Sequence, residues 1–408
     1  MHAKGGRTFS RAFAATVDDA QIPLESKKRK FGPSEGKLPR IPEAKPTKRF
    51  APIRGGRSWT ISVAVPGSIL HNLPTAEQRL ATVARLARSL AIFCVDEVIV
   101  YDDDDAAVPS SRSSTTITRL DGSPDAYTGD ADPCHFVAQV LSFLECPPFM
   151  RRRLFPLHAN LRHTALLPAV DMPHHPRPKA AWLPYVEGVT VPPAAEEEGG
   201  GGGGGGSVVD TGPCGGRVCV PDDIPPHTRV TLHLGTHAAA QQPVCADPHA
   251  PRAEGGYYWG YAVRRCASLS RVFTECPHAA GYDLSVGTSE RGTPLAQVMA
   301  EHQQKRAQQQ RQRRGYAHHH HGEADSDDGA AATPSFQHLV VVFGGPRGIE
   351  LAADHDPALA AMHIRGPRTR ELFDHWVDVL PGQGSRAIAT DEAVPIALMG
   401  LRGLWEST

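Results

Sequence analysis

Two glycine-bearing stretches hold the residues best suited to chemistry: FGGPRGIE at 343–350 and LPGQGSRAIATDEA at 380–393. Each follows an apolar run that reads as a buried strand. Glycine lets backbone N–H and C=O groups approach a flat ligand such as adenine, and open parallel sheets bind ligands at the carboxyl ends of their strands. Taken alone, such loops are equally well tight turns. Neither fits G-x-G-x-x-G or the phosphate-loop pattern, which disfavours a nicotinamide or nucleoside-triphosphate enzyme. Arg151, Arg152 and Arg153 form a cationic run suited to RNA phosphates. His318 to His321 lie between Gln/Arg-rich and acidic stretches and read as incidental. His174-His175, between prolines, reads as loop, and Asp102 to Asp105 as a solvated acidic loop. No metal site is expected.

The elements that must carry those loops follow an α/β alternation. Trp59–Val65 is an apolar, β-branched run closed by Pro66-Gly67, hence a buried strand. Residues 76–94 place Leu80, Val83, Leu86, Ala87 and Leu90 at helical spacing, and 97–101 reads as a second strand. Strand–helix–strand order implies a right-handed crossover and a parallel sheet. The sheet is then interrupted. Residues 102–130 read as a solvated loop and 133–146 as a helix. Short alternating stretches at 185–191, 207–210, 217–220 and 228–234 suggest a small barrel of the OB type. The Gly run 199–206 reads as a flexible hairpin tip. Beyond it, 257–275 reads as a helix, 282–287 as a strand, 297–333 as a disordered or loosely helical insertion, 338–343 as a strand and 376–380 as the last strand. A closing helix spans 390–402, with Thr390 as its N-cap.

At 408 residues, with 39 Gly, 36 Pro and only 6% aromatics, the chain reads as about two domains plus linkers. Net charge is -1, yet residues 1–58 carry 14 Lys or Arg against 5 Asp or Glu. Lys27 to Lys30 in that tail read as a nuclear-import signal or a phosphate-seeking arm. Eight Cys without CxxC pairs imply a reduced, intracellular protein. No apolar run approaches the ~18 residues of a membrane helix, and no secretory signal opens the chain, so the expectation is a soluble protein.

The ordered series VAVPGSIL (63–70), ARSLAIFCVDEVIVYD (87–102), YWGYAVR (258–264), YDLSVGTSERG (282–292), VVVFGGPRGIE (340–350) and LPGQGSRAIATDEA (380–393) resembles a SPOUT subfamily of RNA methyltransferases from archaea and eukaryotes. The resemblance covers roughly 59–402. It implies an α/β fold: a trefoil-knot methyltransferase domain with a parallel sheet and flanking helices, interrupted by a small OB-like barrel. The corresponding divisions are a basic tail over 1–57, the knotted domain over 58–105 and 255–404, and an RNA-binding insertion over 145–250.

The resemblance also implies the site. S-adenosylmethionine would be held by Phe343, Gly344, Gly345, Gly348, Leu380, Gly382, Gly384, Ser385 and Ile388, chiefly through backbone groups. Arg88 is similar to the family's first-motif Arg, and Glu290 and Arg291 of GTSERG join it as catalytic candidates. Arg386 joins Arg151, Arg152 and Arg153 as an RNA contact. The implied reaction is methylation of RNA, chiefly ribosomal RNA, with uridine N-3 as the target. A homodimer acting in the nucleus or nucleolus, with the cytoplasm as alternative, goes with it. Thr82, Pro346 and Ala389 depart from residues common in related enzymes. Pro346 and Ala389 motivate the alternative of a non-catalytic RNA-binding assembly protein on the same scaffold.

Overall fold

Strands buried on both faces explain the first part of the chain. β1 (Thr60–Pro66) and β2 (Glu97–Tyr101) are buried along their whole length, as strands of a parallel sheet covered on both sides must be. The structure is a computed structural model and describes residues 56–104, 126–176, 183–192, 206–236, 239–319 and 334–405. All of these belong to one compact unit, Lys45–Thr408. Residues 1–55, most of the Gly run, 105–125 and 320–333, with the expectations placed on them, lie outside the described residues.

Chain order then gives α1 (Ala76–Ile92), α2 (Pro133–Glu145), α3 (Arg151–Leu154), β3 (Tyr185–Val191), β4 (Ser207–Asp210), β5 (Arg217–Val220), β6 (Arg229–Thr236), β7 (Ala239–Ala246) and α4 (Ala250–Ala253). After these come β8 (Ala262–Cys266), α5 (Leu269–Thr274), β9 (Leu284–Pro294), α6 (Leu295–His319), β10 (His338–Val342), α7 (Ile349–His355), α8 (Pro357–Ala361), β11 (His375–Asp378) and α9 (Thr390–Leu401). The larger sheet runs β11-β9-β10-β1-β2-β8. Every pairing in it is parallel.

Period-two alternation divides the core. Ile61, Val63, Leu339 and Val341 face α1, α2 and α9. Ala64, Val340 and Val342 face α5, α7 and Leu359. Each such aliphatic side chain contributes about 1.5–3 kcal/mol through burial, which is why the apolar runs are decisive. At the start of α1, Thr75 and Gln78 form a reciprocal capping box.

The inserted sheet is antiparallel, ordered β5-β4-β3-β6-β7, and curls into a half-barrel. Its edges, β5 and β7, are not paired with each other, so it stops short of a closed barrel. An ion triad joins it to the larger unit. Arg229 of β6 bonds both oxygens of Glu145 on α2 at 2.6 and 3.0 Å, and Glu187 of β3 at 2.6 Å. Thr231 and Trp259 complete the shell of Glu187. His174 and His175, loop residues as expected but buried, both donate to the Glu145 carbonyl.

Several expectations change. Residues 257–275 are not one helix: they form an irregular stretch, β8 and then α5. Gly260, at φ +87, lies where a Cβ would stand 2.4 Å from Glu145 Oε1, so this stretch of chain passes too close to α2 to coil. Arg57 is buried, and its guanidinium donates to both carboxylate oxygens of Asp96. Residues 297–319 are helical within α6. Asp103 is buried rather than solvated. α9 is capped at Ala389, whose N–H donates to Glu392, while the Thr390 hydroxyl turns to Gly344. No helix among the described residues is long and apolar enough to cross a membrane.

Two outcomes follow from the triad. Arg229→Gln leaves two buried carboxylates without their cation and should cost about 3 kcal/mol, read by urea denaturation. Burial, with His174 adding to it, pushes the His175 imidazole down to about 3. Between pH 6.5 and 3 the unfolded chain therefore holds a proton at this position that the native chain refuses. Stability should fall with acidification by up to ~1.4 kcal/mol per pH unit in that window. His175→Gln should flatten this slope relative to the parent; an unchanged slope contradicts the account.

Candidate functional site at the carboxyl ends of the strands

Loops from five strands meet at one end of the parallel sheet. They follow β1, β2, β10 and β11, and the fifth is a bulge within β9, whose pairing with β11 jumps from Gly287–Trp376 to Thr293–Val377. Strand register brings together segments that lie far apart in the chain. The loop after β10 is anchored by its carbonyls. The Tyr101 hydroxyl donates to Phe343 O at 2.6 Å, Thr288 to Val342 O at 3.1 Å, and Thr390 to Gly344 O at 2.9 Å. Gly348 N–H closes the loop on Gly345 O, with Gly348 at φ +83.

Beneath that loop, Ser68 donates its N–H and hydroxyl to the two oxygens of Asp103. Burial raises the Asp103 carboxyl, and the two Ser68 bonds oppose that rise. A Cβ on Gly345 would stand 1.9 Å from Ser68 Oγ, so only glycine fits over the Ser68–Asp103 pair. Gly344 is packed as tightly, against Gly348 and Ile349.

The loop after β11 is different in character. Leu380, Gly384, Ser385 and Arg386 are exposed and Ile388 is half-buried. Nothing lies within 4 Å of a Cβ built on Gly382 or Gly384. Among the described residues, the backbone amides from Gly384 to Ile388 have no hydrogen-bond partner. One loop is thus held by bonds to its carbonyls, and the other keeps amides without a protein partner among the described residues. Thr390, which follows the second loop, ties it to the first through Gly344 O.

The catalytic candidates take varied positions. Glu290 and Arg291 stand exposed on the β9 bulge. Arg291 lies 3.8 Å from Glu350, which also accepts from Ser289. Arg88 does not face the loops; its guanidinium donates to the carbonyls of Ala169 and Val170. One turn earlier on α1, Arg85 bonds Asp391 of α9 at 2.7 Å and stays largely exposed. Sequence reasoning missed Arg85; the available signal was a second Arg on the same helix and an acid beside the last glycine loop.

The cationic run also divides. Arg151 is spent locally: it donates to Cys146 O and Leu144 O and lies over the Phe143 ring. It thereby caps the end of α2. Arg153 lies 3.6 Å from Asp210. Arg152 is exposed. No cluster of three or more His, Cys, Asp or Glu able to hold a metal occurs among the described residues.

Comparison with known proteins shows the family. The family model described as "Putative RNA methyltransferase" matches residues 60–401. A human protein named 28S rRNA (uridine-N(3))-methyltransferase is 35% identical over 354 residues, covering 85% of this chain and 79% of its own length. The fruit-fly protein of that name is 36% identical, covering 84% of this chain and 62% of its own length. A mouse protein of the same name is 34% identical, covering 85% and 77%. The family match runs through both sheets and both glycine loops, and the chain belongs to this family of RNA methyltransferases.

Proposed function

We propose that the chain methylates uridine N-3 in large-subunit ribosomal RNA, taking the methyl group from S-adenosylmethionine held between the loops 343–348 and 380–388. The carrying observation is the pairing of an anchored loop with one whose amides, from Gly384 to Ile388, have no hydrogen-bond partner among the described residues, and whose Gly382 and Gly384 have open space at the Cβ position. Phe343, Gly344, Gly345 and Gly348 would form one wall, and Leu380, Gly382, Gly384, Ser385 and Ile388 the other. The bound cofactor supplies an electrophilic methyl on its sulfonium.

The chain's own residues do the rest. Uracil N-3 must lose its proton to act as nucleophile. Glu290, exposed on the β9 bulge, is assigned to accept it, and Arg291 beside it to stabilise the anion. Arg88 takes a positioning role through the 169–170 segment. Arg386 and Arg152 are left free for RNA phosphates, with the half-barrel as the OB-like RNA holder. The chain returns from β11 to bond the β10 loop through Thr390, which is compatible with a trefoil knot. A homodimer and a nucleolar site of action complete the reading.

The test is methyl transfer by the full chain to ribosomal RNA from cells lacking this protein, followed by nucleoside mass spectrometry. New 3-methyluridine is expected. Intact RNA binding with no methyl transfer favours the assembly-protein reading instead. Gly384→Val is the clean site variant, because its Cβ meets open space. It should leave the melting temperature unchanged and lower the rate by about 100-fold through displacement of the cofactor. Gly345→Val should instead destabilise the fold, since its side chain strikes Ser68.

A further inference from the structure

The strongest feature outside the cofactor end is the distal part of α6. Its first turn is core: Leu295 and Met299 fill the notches left by Gly400 and Gly403. His302 then bonds Ser335, where the chain returns to enter β10. Beyond that clasp the helix continues to His319, which at 1.5 Å per residue is an arm of roughly 25 Å. Every side chain described between Gln303 and Arg311 is exposed.

The composition of this arm is one-sided. Residues 302–319 include Lys305, Arg306, Arg311, Arg313 and Arg314 and contain no Asp or Glu. Lys305 has one i,i+4 acid, Glu301 beside the clasp, while Arg306, Arg311, Arg313 and Arg314 have no acid three or four residues away in the sequence. Large apolar residues are also missing, apart from Tyr316. A protein-docking helix needs an apolar stripe or aromatic anchors to desolvate, and a helix polar all round has none. A polyanion needs only distributed positive charge along a length of several phosphates. The acids Glu323, Asp325, Asp327 and Asp328 follow after the His run and belong to the return segment, outside the described residues.

We propose that the α6 arm, residues 303–319, is a second RNA contact: a cationic strut that lies along the phosphate backbone of the substrate, away from the cofactor loops. The proposal rests on the RNA methyltransferase reading and adds to it a sequence-independent source of affinity. α6 starts where β9 ends, at the cofactor end of the sheet, and runs back towards the start of β10. The arm therefore engages RNA remote from the target base. It governs affinity and its salt dependence rather than the choice of nucleotide.

The test is a variant of the full chain in which Lys305, Arg306, Arg311, Arg313 and Arg314 are all replaced by Gln, which keeps helix propensity and removes charge. The probe is a fluorescein-labelled RNA hairpin of about 30 nucleotides, titrated by anisotropy from 50 to 300 mM KCl. The parent should show a steeper fall of log K with log salt. The variant should lose roughly 2–4 from that slope and at least ~10-fold in affinity at the lower salt, with S-adenosylmethionine affinity and melting temperature unchanged. An unchanged slope overturns the arm, even if the variant still methylates RNA. Loss of binding to a poly-glutamate probe with RNA binding intact also overturns it, in favour of an acidic protein partner. Failure of the parent to transfer methyl while its RNA affinity still depends on the arm would overturn the enzymatic reading alone.

Discussion

Arg229 between Glu145 and Glu187 is the contact on which the arrangement of the two sheets depends. Its three bonds, of 2.6 to 3.0 Å, run from β6 to α2 and to β3. Glu145 is buried, which by itself would raise its carboxyl, but His174 and Arg229 outweigh burial and hold it down to about 2. Two carboxylates and one guanidinium withdrawn from water carry a large desolvation cost, which the mutual attraction offsets only when the geometry is close to ideal. An apolar cluster would be at least as stabilising but less directional. The triad is therefore best understood as fixing direction: it sets how the half-barrel is presented, with Thr231 and Trp259 bonded to the Glu187 carboxylate and His174 and His175 to the Glu145 backbone carbonyl.

The carboxyl end of the parallel sheet is built on an opposite use of polar groups. Around the β10 loop, side-chain hydroxyls from three other segments occupy the carbonyls of Val342, Phe343 and Gly344. The β11 loop keeps its amides from Gly384 to Ile388 unengaged by protein. A preorganised wall facing a set of free donors costs little rearrangement on binding. Asp103 and Ser68 set the height of the first wall, which explains why a run of acids that reads as solvent-exposed is drawn inward at that one residue.

Much of this was legible in the sequence, and the exceptions share a cause. Strands buried on both faces are continuous apolar runs, so β1, β2 and β10 stood out, as did the glycine loops behind β10 and β11. Two edge strands, β8 and β7, did not. β8 pairs only with β2, and its Arg264 is held by Glu97 in a network with Ser62 and Tyr282 that no local pattern encodes. β7 contains Pro243, a residue that strands tolerate at sheet edges, and its composition hid it. Arg151 looked like a phosphate ligand because a run of Arg shows charge, whereas the carbonyls at the end of α2 that claim it become visible only in three dimensions. Arg85 and Asp391 meet across 306 residues of sequence.

The central claim is that the two carboxyl-end loops, and not the inserted sheet, receive the methyl donor. Hydrogen–deuterium exchange of the full chain with and without S-adenosylmethionine tests this most directly. Slower exchange should appear in peptides covering 343–350 and 380–393, where the free amides from Gly384 to Ile388 gain partners, and exchange in β3 to β7 should stay unchanged. Protection confined to the half-barrel, or none at saturating cofactor, would contradict the account.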